Sequence, residues 1–202
     1  MDTLEHQRYL ASSKYIDWNH PDIQVEARRL SESISDEVDL VKACFEFVRD
    51  EIRHSWDFQL NPVTCKASEV LLHRTGYCYS KSHLLAALLR ANRIPAGLCY
   101  QRLTISNNQP PFCLHGLNAV YLNEHGWYRI DARGNKEGVE AECMPPLEKL
   151  AFTVTGEGEL DLPGIMVEPM DVIVDLLEKS KSFQEVADHL PDMSEGFRES
   201  LM

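Results

Sequence analysis

The sequence predicts an α+β domain, with helices in its first half and an antiparallel meander after them. Two observations carry this. Apolar residues recur at helical spacing up to about residue 92, and beyond Pro95 the period changes to that of strands. A third is the turn Asn123-Glu124-His125-Gly126 between two β-like runs, which marks a hairpin.

Residues 1–20 are polar with scattered aromatics (Tyr9, Tyr15, Trp18) and are expected to pack as an arm without regular structure. His20-Pro21-Asp22 opens a helix, since proline suits the first helical position, and it should run to about Ser31. Ser35 is the expected N-cap of the next, with Asp36 and Glu37 in its first turn. Val38, Val41, Phe45, Val48 and Ile52 then form one apolar stripe, and Cys44 beside it is expected to be a core thiol.

Asn61-Pro62 marks a loop, Ala67 to Leu72 a short helix, and Thr75-Gly76 its end. From Cys78 the run CYSKSHLLAALLRAN is apolar on most faces after residue 83, as a helix buried at the centre of a domain must be. Ile94-Pro95-Ala96-Gly97 stops it. Strands are expected at Leu98 to Ile105, Gly116 to Leu122 and Trp127 to Asp131, with residues 107–111 as a loop. Residues 134–170, rich in Gly, Pro and Glu, are expected to be long surface loops. Asp171 to Lys179 and Ser182 to Leu190 are expected helices, with Pro191 ending the last.

At 202 residues the chain fits a single domain: a helical part to about residue 96, a sheet part over 97–135 and an acidic part over 136–202. Apolar residues at 44% and charged residues at 26% are those of a soluble globular protein. No run approaches the ~18 apolar residues of a membrane span, and the N-terminus lacks the pattern of a signal peptide. A cytoplasmic location is therefore expected. The six cysteines, at 44, 65, 78, 99, 113 and 143, form neither a disulfide framework nor a zinc pattern. Residues 1–136 balance 16 acidic against 16 basic side chains, whereas residues 137–202 carry 16 acidic and 4 basic, the whole net charge of −12. Nucleic acid, which needs a basic patch, is not an expected partner.

Cys78 stands where a glycine-containing turn meets the N-terminus of the central helix. Free backbone N–H groups and the positive helix end stabilise a thiolate there, and the cysteine's own N–H can serve an oxyanion. His115, at the start of one strand, is the candidate base, and Asp131, at the end of the next, its orienter. Pairing Leu122 with Trp127 sets Asp131 opposite residue 118, three residues or ~10 Å from His115, so a direct hydrogen bond requires another register or a bulge. Cys113, two residues before His115, shares a strand face with it, and a redox bridge to Cys78 is one use of it beside a buried thiol.

Three blocks resemble the core of the transglutaminase-like superfamily. They are Ala67 to Leu72, then Gly76-Tyr77-Cys78-Tyr79-Ser80-Lys81-Ser82 with LLAALLRANRIPAG, and His115 to Leu122 followed by Gly126-Trp127-Tyr128-Arg129-Ile130-Asp131. The resemblance implies a papain-like α+β fold, with the cysteine on a central helix packed on an antiparallel sheet that bears His and Asp. It implies attack by Cys78 on a carboxamide of a peptide or protein, proton transfer by His115, and a thioester broken by water or an amine, with no metal or organic cofactor. His115-Gly116-Leu117 stands where many members have an aromatic two residues after the histidine. Arg133 follows Asp131 where many have threonine. Arg133 is a candidate clamp for a substrate carboxylate or a partner of the acidic tail. Tyr77 and Trp56 are further substrate-binding candidates, and the Trp56 indole or the Asn61 amide could supply a second oxyanion donor. A binding module that keeps the fold without catalysis is the alternative from another class.

Overall fold

The computed structural model describes residues 6–106 and 109–193. A single 3-10 turn, Arg8–Leu10, interrupts the expected arm, which is pinned by Tyr9 Oη donating to Ile165 O and Trp18 Nε1 donating to Leu10 O. Helix α1 spans Pro21–Ser31 with His20 as its cap, as its proline predicts. Helix α2, Glu37–Glu46, begins one residue later than expected. Asp36, not Ser35, is the cap, because its carboxylate accepts from the Asp39 N–H. The expected continuation to Ile52 loosens into a π-helical turn over Phe47–Glu51, then a two-residue strand β1, Arg53–His54.

The short helix α3, Ser55–Phe58, precedes a loop and helix α4, Ala67–His73. Strand β2, Thr75–Gly76, pairs in parallel with β1, so that His54 lies opposite Gly76. Helix α5, Cys78–Ala91, is buried over Cys78–Arg90, polar residues included, and forms the centre of the main core.

The main sheet joins four strands, all antiparallel, in the order Gly126–Ile130, Gln109–Leu122, Ala96–Ser106 and Leu160–Asp161. Strand β3 is Ala96–Ser106 and β4 is Gln109–Leu122. The expected loop over residues 107–111 is therefore corrected: Gln109, Pro110 and Pro111 are strand, and residues 107–108 lie outside the described residues. Strand β5, Gly126–Ile130, follows the expected turn, with Gly126 at φ +73°. The region expected to be loops holds three short strands: β6, Glu142–Met144; β7, Leu147–Lys149; and β8, Leu160–Asp161. Strand β8 extends the main sheet at β3, a pairing that no periodicity in two residues could announce. Helices α6, Asp171–Lys179, and α7, Phe183–Asp188, close the described chain. No described helix is long and apolar enough to cross a membrane.

The helix and sheet are locked together beside Cys78. Tyr79 Oη donates to Leu114 O at 2.5 Å, and Asn118 Nδ2 donates to Ser82 O at 2.9 Å. Gly116 makes the approach possible, since a Cβ there would lie 3.1–3.2 Å from the Tyr79 ring and Cα. Gly76 plays the same part before the helix, where a Cβ would meet Ser80 Oγ at 2.5 Å.

Candidate active site

The hairpin register is Leu122↔Gly126 and Asn118↔Ile130, one residue from the expected pairing. Its extension sets Asp131 opposite Leu117, on the same strand face as His115 and diagonal to it. The two side chains span that diagonal, and His115 Nε2 lies 2.7 Å from Asp131 Oδ2. No bulge is needed between β4 and β5. Asp131 is itself fixed by backbone donors, Arg133 N–H to Oδ1 at 3.1 Å and Ala151 N–H to Oδ2 at 3.2 Å. Phe152 packs edge-on against the imidazole at 4.9 Å.

The imidazole shares the cleft with Cys78, whose charge acts on it together with that of Asp131. Burial pushes the imidazole toward neutrality, but the charges of Asp131 and Cys78 and the hydrogen bond to Asp131 outweigh it, so its pKa rises to about 10. Burial opposes the charge of Asp131 as well, and the facing imidazolium with two backbone N–H donors still holds its carboxyl below the usual range. Cys78, the first residue of α5, has a backbone N–H with no acceptor inside the helix.

These groups line a cleft of about 780 Å³ that contains Cys78, His115 and all three expected substrate-binding residues, Trp56, Tyr77 and Arg133. Trp56 is 44% exposed at its mouth, with its ring 6.2 Å from Phe183. The Tyr77 hydroxyl is occupied, donating to Phe183 O at 2.6 Å, so only its ring faces the cleft. Asn61 accepts from the Phe183 N–H and is not a cleft residue. The expected pairing of Arg133 with the acidic tail is corrected. Its guanidinium binds Asp57 of α3, Nη1 to Oδ2 at 2.6 Å and Nη2 to Oδ1 at 3.1 Å, and Lys136 joins the same carboxylate at 2.6 Å. Burial works against the Asp57 charge, yet the two cations bring its carboxyl down to about 2.

Sequence reasoning passed over His54, Lys81 and the C-terminal wall. His54 lines the cleft, buried and edge-on to Tyr77 at 5.4 Å. Lys81, one turn beyond Cys78, is buried and donates to the carbonyls of Ile52 and Arg49; burial and then Arg133 lower its pKa to about 7. Ala187, Asp188 and Leu190 form another wall. Cys113 lines the cleft half-buried, its thiol pushed up to about 12 by burial and by the Cys78 charge.

Comparison with curated proteins gives no match. Solved structures share the fold, among them these two. One is a candidate cysteine protease from Cytophaga hutchinsonii, 23% identical, TM-score 0.52, aligned over 66% of this chain and 43% of that one. The other is the periplasmic domain of TgpA from Pseudomonas aeruginosa, 20% identical, TM-score 0.51, aligned over 65% and 49%. The chain thus matches less than half the length of either structure. The transglutaminase core model matches residues 26–132, just over half of the sequence, from Glu26 in α1 to Ala132, the residue after Asp131. By that match, the chain belongs to the transglutaminase-like superfamily.

Proposed function

We propose that the protein is a cysteine-dependent hydrolase or acyltransferase acting on an amide or isopeptide bond of a peptide or protein. The observation that carries this reading is the placing of Cys78 and His115 in one cleft, with the imidazole 2.7 Å from the buried Asp131 carboxylate and under the influence of the Cys78 charge. In the proposed reaction the Cys78 thiolate attacks the carbonyl and the developing oxyanion is met by the Cys78 N–H. His115, charged, gives its proton to the departing amine. A thioester remains, and the now neutral His115 takes a proton from the water or amine that breaks it. Asp131 keeps the imidazole oriented throughout.

The cleft supports a peptide-like substrate by its mixed lining, with Trp56, Leu103, Ile105 and Phe152 offering apolar surface. Arg133 and Lys136 share one carboxylate, so their end of the cleft keeps a net positive charge. That favours an acidic group on the substrate there. Trp56 lines the cleft, and among the described residues its indole N–H has no acceptor, which makes it the candidate second oxyanion donor. A reducing, cytoplasmic setting belongs to the same proposal and is supported by six unpaired cysteines.

The test is the rate of iodoacetamide alkylation at Cys78 against pH, located by peptide mass, in the wild type and in His115→Ala. Alkylation of Cys78 at neutral pH far faster than that of the other five thiols, and slowed in His115→Ala, supports the enzyme. Six equally sluggish thiols would sink it and leave a binding module on the same fold.

A further inference from the structure

His54 stands out among the groups the proposed reaction does not use. It is 6% exposed and lines the cleft with Cys78 and His115. The pairing of β1 with β2 holds its backbone opposite Gly76, two residues before the thiol, and the Tyr77 ring braces its own. Its Nδ1 is sealed from solvent with no hydrogen-bond partner among the described residues, 3.6 Å from Asp57 Oδ2. That carboxylate is already committed to Arg133 and Lys136. Nε2 carries no such seal, so the ring meets the cleft through its Nε2 edge.

Two physical points fix what this edge can do. Burial first, and then the Arg133 charge, keep the ring neutral, with a pKa well below the ordinary histidine value. In a neutral ring facing a carboxylate, the proton belongs on Nδ1, because a lone pair there would point at the Asp57 oxygens. Nε2 is then a lone pair, a hydrogen-bond acceptor presented in the cleft that holds Cys78.

We propose that His54 binds the acyl acceptor, a water or a primary amine, by accepting a hydrogen bond from it at Nε2 and holding it against the Cys78 thioester. This rests on the thiol chemistry proposed above. In the step it serves, the acceptor's oxygen or nitrogen forms the new bond to the acyl carbon and the C–S bond breaks. Cys78 leaves as thiolate, and the acceptor's proton passes to His115, made neutral when it protonated the first leaving group. His54 changes neither charge nor tautomer.

The experiment uses p-nitrophenyl acetate as the acyl donor, with acid quench and mass spectrometry to follow formation and decay of acetyl-Cys78 separately. His54→Gln keeps an acceptor oxygen near the Nε2 position; His54→Asn keeps one only near Nδ1; His54→Phe keeps the ring shape alone. Acetylation is expected to proceed in all three as in the wild type. Decay is expected to slow about tenfold, the worth of one hydrogen bond, in Phe and Asn and to stay within about threefold in Gln. Should His54→Phe not fold, the contrast between Gln and Asn decides. Equal decay across the variants, or formation and decay falling together in each, overturns the role of His54 alone. A wild type that never acetylates at Cys78 overturns the thiol reading itself.

Discussion

His115 Nε2 and Asp131 Oδ2 lie 2.7 Å apart across a strand diagonal that a one-residue change of register would abolish. The charge of Asp131 is the largest of the effects that raise the imidazole against its burial. A raised pKa means that the imidazolium survives as pH climbs past the ordinary value of about 6.5 and is lost only as pH rises through the folded value. The wild-type pH profile of acylation is therefore expected to keep its alkaline limb well above neutrality, toward 10. Asp131→Asn should bring that limb down toward neutrality and slow acylation about a hundredfold, the low end of general acid–base contributions. Stopped-flow acylation by a peptide p-nitroanilide, whose nitrogen must be protonated to depart, from pH 5 to 11 checks both. An unmoved limb would remove Asp131 from the mechanism.

The contact of Gly116 with Tyr79 predicts a second outcome. A methyl at Gly116 meets the Tyr79 Cα at 3.2 Å, and a backbone atom at the start of a buried helix has little room to retreat. Gly116→Ala should cost about 1–2 kcal/mol, as overpacking does, measured by urea denaturation. It should also loosen the neighbouring placement of His115 relative to Cys78 and lower the selectivity of Cys78 alkylation over the other five thiols. A variant as stable and as selective as the wild type would show that β4 and α5 have slack.

The central helix and the order of Cys78, His115 and Asp131 were legible because they rest on local patterns: a buried apolar run, a glycine turn and a hairpin. The register was not, because both candidate pairings close the same turn with the same residues, and only packing across the sheet distinguishes them. His54 and Lys81 escaped for a related reason. His54 comes beside Cys78 through a parallel pairing with Gly76, 22 residues on, and two-residue strands carry no periodicity. Lys81 sits in a helix whose neighbours are apolar, and its partners are carbonyls freed where α2 gives way to a π turn. The partner of Arg133 was misjudged because net charge pointed to the tail, whereas the fold brings α3 to it.

Asp57 holds two cations over the cleft, and the Arg133 side chain is only 8% exposed. Asp57→Asn leaves that guanidinium without a counter-charge and should cost about 3 kcal/mol at pH 7 by urea denaturation. The sign with pH follows from the direction of the shift. The carboxyl is lowered on folding to about 2, so its contribution is present above the unfolded value near 3.8 and disappears as pH falls through the folded one. Wild type and variant should therefore converge in stability between pH 4 and 2. A constant gap over that range would assign the loss to shape rather than charge.

The C-terminal segment is tied across the cleft at both ends. Near residue 183, Asn61 accepts from the Phe183 N–H and Tyr77 Oη donates to its carbonyl. Near residue 191, Leu114 N–H donates to Pro191 O at 2.8 Å, while Arg102 grips Asp192 with Nε at 2.6 Å and Nη2 at 2.7 Å. Between these ties, Ala187, Asp188 and Leu190 wall the cleft beside Cys78, which is 8% exposed. Access to the thiol should then depend on how often the second tie opens. Arg102→Gln exchanges a charge-assisted pair for weaker hydrogen bonds, a loss of about 1.5 kcal/mol that raises local opening about tenfold. The expected result is a rise of that order in the modification of Cys78 by a bulky polyethylene glycol maleimide, with little change for iodoacetamide, which enters the closed cleft. Equal rises for both reagents would point to a general loosening of the fold. No rise for either would mean that the segment does not limit entry, and that substrates reach Cys78 past Trp56 instead.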